Sequence, residues 1–155
     1  MSYVHRDATW IRRDDQRLGA GGRTRYVMTG SQSEGDFGLF ESILPPGGGG
    51  PGPHYHEHFS ESFYVLEGHL AVLSGDKEIT VDAGDVVYVP RQGVHGFRNG
   101  SGELEARFLI LFTPGAPREE YFDGMAELRA AGRQPSIEEI DEFARRYDQI
   151  NIRNP

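Results

Sequence analysis

Four side chains of this sequence have the types and spacing to do chemistry together: His54, His56, Glu61 and His95. The run His54-Tyr55-His56-Glu57-His58-Phe59-Ser60-Glu61 sets two histidines one residue apart, with a carboxylate five positions after the second. Alternate side chains of an extended strand share a face, so His54 and His56 point the same way. With Glu61 and the distant His95 they supply four ligands to one divalent metal per chain. Neutral imidazole suits iron, nickel, copper, cobalt and zinc, and a carboxylate adds a hard oxygen and offsets part of the cation's charge. His58 keeps the same parity but is read as a turn residue ahead of Glu61, in a supporting or exposed position. Glu57 reads as solvated, His5 and His69 as ordinary surface or packing residues, and Asn99 as a turn residue.

These side chains need a rigid frame, and the sequence points to strands. Short apolar runs bounded by turn-forming residues occupy Tyr26–Thr29, Phe37–Leu44, His54–His56, Ser62–Leu66, Leu70–Ser74, Glu78–Val81, Val86–Val89, His95–Arg98 and Leu104–Thr113. Glu67-Gly68, Ser74-Gly75-Asp76, Asp82-Ala83-Gly84-Asp85 and Asn99-Gly100-Ser101-Gly102 supply the turns. Strands at this spacing, without helical patterns between them, predict an all-β antiparallel sandwich or barrel. Leu104, Ala106, Phe108, Ile110 and Phe112 share one face, which should be core or cavity wall. Phe63 and Val65 share the phase of Glu61, and Phe97 that of His95. Together with Phe108 and Ile110 these are the expected pocket walls, an apolar and aromatic lining suited to a flat hydrophobic substrate. The same residues would serve equally well as core filling.

Pro45-Pro46-Gly47-Gly48-Gly49-Gly50-Pro51-Gly52-Pro53 reads as a loop, because its prolines remove ladder donors and its glycines are too free to hold a strand. Beyond Thr113 the periodicity changes. Pro117 opens a helix with Glu119 and Glu120 at the positive end of its dipole, Tyr121, Met125 and Leu128 form its apolar stripe, and Gly132 stops it. A second helix begins at the capping box Ser136-Ile137-Glu138-Glu139 and carries Ile140, Phe143 or Ala144, and Tyr147. Both are expected to pack outside the barrel or at a dimer contact. Three segments result: an N-terminal arm over 1–36, a core over 37–113 and a helical segment over 114–155.

The 155 residues suit one domain, and 21 glycines with 9 prolines fit many short strands. A net charge of −8 without a basic stripe argues against nucleic acid and anionic membranes as partners. No cysteine is present, which excludes disulfides and thiolate ligands. The N-terminal residues carry no apolar secretory region and no stretch reaches transmembrane length, so a cytoplasmic protein is the expectation.

The spacing also resembles a known family. Gly48, His54, His56, Glu61 and Gly68 are similar to the first motif of the cupin superfamily, and Gly84, Pro90, His95 and Asn99 resemble the second. One departure stands out: the glycine expected two residues after Pro90 is Gln92, with Gly93 one place later, and the spacing to His95 is intact. The resemblance covers residues 37 to 113 and implies a six- to eight-stranded jelly-roll β-barrel, with the metal held inside by His54, His56, Glu61 and His95. Pro45-Pro46-Gly47, Phe63 to Gly68 and the aromatic, acidic helix after Thr113-Pro114-Gly115 look like the single-domain bacterial cupins described as quercetin 2,3-dioxygenase-like.

That resemblance implies a metal-dependent dioxygenase acting on an enolisable aromatic or flavonol-like small molecule, with O2 as co-substrate and CO as product. It carries to Glu61 the role of the base that takes the substrate proton, and it favours a homodimer formed through the N-terminal strand. The metal would be iron, nickel, manganese, cobalt, copper or zinc. Two other functions use the same residues: a non-redox cyclase or isomerase of secondary metabolism, and a non-catalytic cupin that binds a small ligand. Fold alone does not separate them.

Overall fold

The computed structural model describes residues 5–153. Eleven strands and two helices follow in order: β1 (Arg17–Leu18), β2 (Thr24–Met28), β3 (Gly38–Leu44), β4 (His54–Tyr55), β5 (Ser60–Glu67), β6 (His69–Ser74), β7 (Lys77–Asp82), β8 (Val86–Val89), β9 (His95–Asn99), β10 (Ala106–Thr113), α1 (Arg118–Ala130), α2 (Ile137–Arg145) and β11 (Ile150–Asn151). One sheet has the order β1-β2-β3-β10-β5-β8 and the other β11-β4-β9-β6-β7, with antiparallel pairing throughout. The fold is the expected all-β jelly roll with C-terminal helices. Its strands form two facing sheets, and no ladder among the described residues closes them into one barrel. No helix among them is long and apolar enough to cross a membrane.

Alternation decides which side chains face inward. On β3 and β10 every second residue is buried, so Phe40 and Leu44 meet Ala106, Phe108, Ile110 and Phe112 in one layer. The opposite sheet contributes Leu70, Val72 and Val81 to the same cluster. Four phenylalanines, Phe40, Phe63, Phe108 and Phe112, are fully buried. Each contributes about 1.5–3 kcal/mol through area removed from water. The expectation fails at Leu104, which is 63% exposed because the strand begins two residues later. The preceding turn is clipped by Asn99, whose buried side chain donates to the carbonyls of Pro45 (2.9 Å) and Leu104 (2.8 Å) and accepts from Ser101 N–H (2.8 Å). Asn99 is thus the turn residue expected.

The helices form a smaller cluster in which Tyr121 and Met125 meet Ile140, Phe143 and Ala144. Pro117 stands at the N-cap of α1, one place before the first helical residue. The capping box of α2 is present as read: Ser136 Oγ accepts from Glu139 N–H at 3.1 Å, and the Glu139 carboxylate accepts from Ser136 N–H at 2.8 Å. Contrary to a purely external position, α1 also faces inward, since Phe122 packs on Tyr26 and Phe40 of the main core. Gln92 is the other surprise. It takes a left-handed backbone, φ 66°, so the turn position where the motif expects glycine is held by Gln92 itself and has not moved to Gly93.

Candidate metal centre

His54 on β4 and His95 on β9 are directly opposed in the antiparallel ladder, which sets their side chains side by side. Their ring centroids are 4.2 Å apart. His56 follows on the same parity just past β4, and Glu61 enters from β5 in the facing sheet. All four are buried, none more than 4% exposed. One potential ligand atom from each lies within 4.8 Å of all the others. The structure therefore brings together the four residues that the spacing selected.

The outer nitrogen of each ring is fixed by main chain. His54 Nδ1–H donates to the Gly52 carbonyl at 2.8 Å, His95 Nδ1–H to Gly93 at 3.0 Å and His56 Nδ1–H to Asp148 at 2.6 Å. A neutral imidazole has one N–H, so this leaves each Nε2 as a lone pair directed inward. Glu61 Oε2 lies 2.9 Å from His56 Nε2 and 2.7 Å from His95 Nε2. Lone pairs at those distances attract only through a proton or a cation placed between them. Burial opposes charge on Glu61, yet the two imidazoles overcome it and hold its carboxyl well below the usual range. Burial likewise opposes a proton on His95, and Glu61 outweighs it, raising the His95 pKa. His54 has no such partner: burial, with His95 beside it, pushes it down to about 3. Three neutral-capable imidazoles and one ionised carboxylate fit a divalent metal, and this donor set would hold it.

A cavity of about 620 Å³ adjoins the cluster, with His54 and Glu61 in its lining. Of the expected walls, Phe97 and Ile110 line it. Phe63, Val65 and Phe108 lie in the core cluster behind, outside that lining. His58 is turned outward, its side chain 79% exposed, while its N–H and that of Glu57 donate to the Asp148 carboxylate. His5 is exposed and His69 partly buried; neither belongs to the site.

The sequence reading missed the contribution of the C-terminal segment. Asp148 carries His56, Gln149 is buried, and β11 extends the sheet beside His54. Arg118, the first residue of α1, is 3% exposed and lines the cavity. It donates to the Tyr147 carbonyl at 3.0 Å and to Gln149 Oε1 at 2.9 Å. Its guanidinium lies over Tyr121, 4.0 Å from the ring centroid. In sequence Arg118 is flanked by Ala116-Pro117 and Glu119-Glu120, and nothing there signals its burial.

Residues 40–112 match a family model described as a Cupin domain. These residues carry a cupin domain. The chain is 35% identical over 74 residues to quercetin 2,3-dioxygenase of Bacillus subtilis (strain 168), a match covering 48% of this chain and 22% of that protein. It is 30% identical over 100 residues to the tetracenomycin polyketide synthase protein TcmJ of Streptomyces glaucescens, covering 64% of this chain and 66% of the relative. The chain thus spans less than two thirds of the length of either. The solved structure of the polyketide cyclase RemF from Streptomyces resistomycificus superposes with a TM-score of 0.58 at 26% identity, covering 72% of this chain and 82% of that one.

Proposed function

We propose that this protein is a mononuclear metal-dependent enzyme acting on an enolisable aromatic small molecule, with a quercetinase-like dioxygenase reaction as the leading reading. The observation that carries it is the set of three inward-facing Nε2 lone pairs and one carboxylate beside a cavity of about 620 Å³. A cavity of that size accommodates a flat ligand of several rings. His54, His56, Glu61 and His95 would hold one iron, nickel, manganese, cobalt, copper or zinc ion. Such an ion supplies Lewis-acid polarisation of a substrate oxygen and lowers the pKa of its hydroxyl.

The chain's own part is positioning and proton transfer. Phe97 and Ile110 present apolar surface to the substrate rings and exclude water near the cluster. Glu61 is the base: its carboxylate takes the enol or phenol proton onto an oxygen and keeps it in a buried site. His56 and His95 are within hydrogen-bonding distance of that carboxylate and tune its basicity. In the dioxygenase reading the resulting enolate consumes one O2 and releases one CO per turnover.

A cyclase reading has its own support, because the matches to the two polyketide proteins extend over 66% and 82% of their lengths, against 22% for the dioxygenase. There the same proton removal leads to ring closure without O2. Simultaneous oxygen uptake and CO release on adding flavonols separates the two; enol consumption with no oxygen uptake assigns the cyclase reaction. The protein acts as a cytoplasmic homodimer in this account, with β1 as the exposed edge strand. Light scattering at twice the chain mass is the expected result, and a monomer mass contradicts it.

A further inference from the structure

Arg118 has a task that its structural contacts do not complete. Its guanidinium is buried, and among the described residues it forms no salt bridge, in contrast to Arg17, Arg98, Arg107, Arg133 and Arg153. Two of its nitrogens are used, by the Tyr147 carbonyl and Gln149 Oε1, and both acceptors are neutral. Its Nε–H is buried with no hydrogen-bond partner. A buried charge lacking both an ionic partner and a full set of hydrogen bonds is costly, and a ligand that supplies the missing acceptor offsets that cost. Arg118 lines the same cavity as Glu61 and His54. Glu61 is the one carboxylate in that lining, and it is engaged by His56 and His95. A divalent metal would leave the cavity with surplus positive charge.

We propose that Arg118 is the anion-recognition residue of this cavity: it receives a negatively charged group of the aromatic ligand, a carboxylate or an already ionised phenol distinct from the hydroxyl that Glu61 deprotonates, that enters beside Glu61. The inference rests on the reading of the cavity as an aromatic-ligand site and narrows it to anionic ligands. Planar guanidinium against an oxyanion gives short, charge-assisted hydrogen bonds, stronger than neutral ones. The rings of Tyr121 and Phe122 hold the guanidinium in place, at 4.0 and 5.6 Å from their centroids.

The test uses the metal-loaded full chain and two probes of one shape, 2-naphthoate and neutral 2-naphthamide, titrated by calorimetry. Wild type is expected to prefer naphthoate by about tenfold or more, the scale of one charge-assisted hydrogen bond. Arg118→Gln should bring the two affinities together, with metal content unchanged. Gln149→Leu, which removes a clip but keeps the charge, should retain the preference. A preference that survives in Arg118→Gln comes from the metal or from Arg23 or Arg129, which also line the cavity, and overturns the proposal, as does a wild type that binds both probes equally or binds neither. Should Arg118→Gln not fold, the buried Arg118 Nε–H nitrogen resonance of the wild type gives the answer: it must move with naphthoate and not with naphthamide, and an unmoved signal overturns the assignment. Naphthoate preference without any turnover or binding of flavonols would refute the enol-substrate reading while leaving Arg118's role standing.

Discussion

The main-chain carbonyl of Asp148 accepts the Nδ1–H of His56 at 2.6 Å, while the carboxylate of the same residue accepts the main-chain N–H groups of Glu57 and His58 at 3.0 and 2.7 Å. One residue of the C-terminal segment therefore fixes both the tautomer of a candidate ligand and the loop that carries it. Asp148 holds a left-handed backbone, φ 56°, which aspartate tolerates better than most residues.

Asp148→Ala leaves the carbonyl that accepts from His56 but removes the carboxylate that holds the Glu57 and His58 N–H groups. It also places a less tolerant residue at φ 56°. The loop and the His56 ring then lose their fixed position, and metal binding is expected to weaken by about tenfold, the lower end of the usual effect of loosening a group that orients a ligand. Competition with a chromophoric chelator measures it. Asp148→Asn keeps the backbone preference and one acceptor oxygen and should fall between the two.

Substitution of the ligands separates holding the metal from using it. His54→Ala and His95→Ala should lose both metal and activity. Glu61→Gln should keep more metal than either histidine variant and yet show no turnover, because an amide cannot take the substrate proton. Metal analysis beside an activity assay decides both points; turnover at the wild-type rate in Glu61→Gln removes it as the base.

The Gln92 turn offers a stability test. A non-glycine residue with φ 66° costs about 1–2 kcal/mol. Gln92→Gly relieves that strain but adds about 0.4–1 kcal/mol of unfolded-state entropy. A net gain between zero and about 1.6 kcal/mol is expected in urea unfolding, and the Gln92 N–H donated to the His56 carbonyl at 2.7 Å survives the change.

Asp123 makes the cavity wall sensitive to acid. Its carboxylate accepts from Arg17 (2.8 Å), Ala20 N–H (2.9 Å) and the Tyr26 hydroxyl (2.8 Å), joining the strand edge to α1. Burial opposes its charge, but these donors win and hold its pKa below the ordinary 3.8. Because the folded value is the lower one, the stabilisation is fully present above pH 3.8 and is lost as pH falls below it toward the folded value. Thermal unfolding of Asp123→Asn should lie below wild type at pH 7 and converge with it at the acid end.

Much of this was legible in the sequence because it is periodic or motif-like. Parity alone put His54 beside His56 and turned Ala106, Phe108, Ile110 and Phe112 inward, and the capping box located the start of α2. What stayed hidden depends on tertiary placement. β1 and β11 are two residues each, too short to show alternation. Gln149 and Asp148 follow a helix whose pattern says nothing of a return to the metal-binding strands. Arg118 reads as an ordinary charged helix residue until the fold buries it among Phe59, Phe112, Tyr121 and Phe122. Phe63 and Phe108 share the right phase, but parity distinguishes inside from outside and not cavity from core.

The most direct test of the central claim is elemental analysis by plasma mass spectrometry on protein purified without an affinity-metal column, for wild type and His95→Ala together. The account predicts close to one transition-metal ion per wild-type chain and loss of that metal in the variant. Absence of bound metal in wild type even after reconstitution, or full retention in His95→Ala, would contradict it.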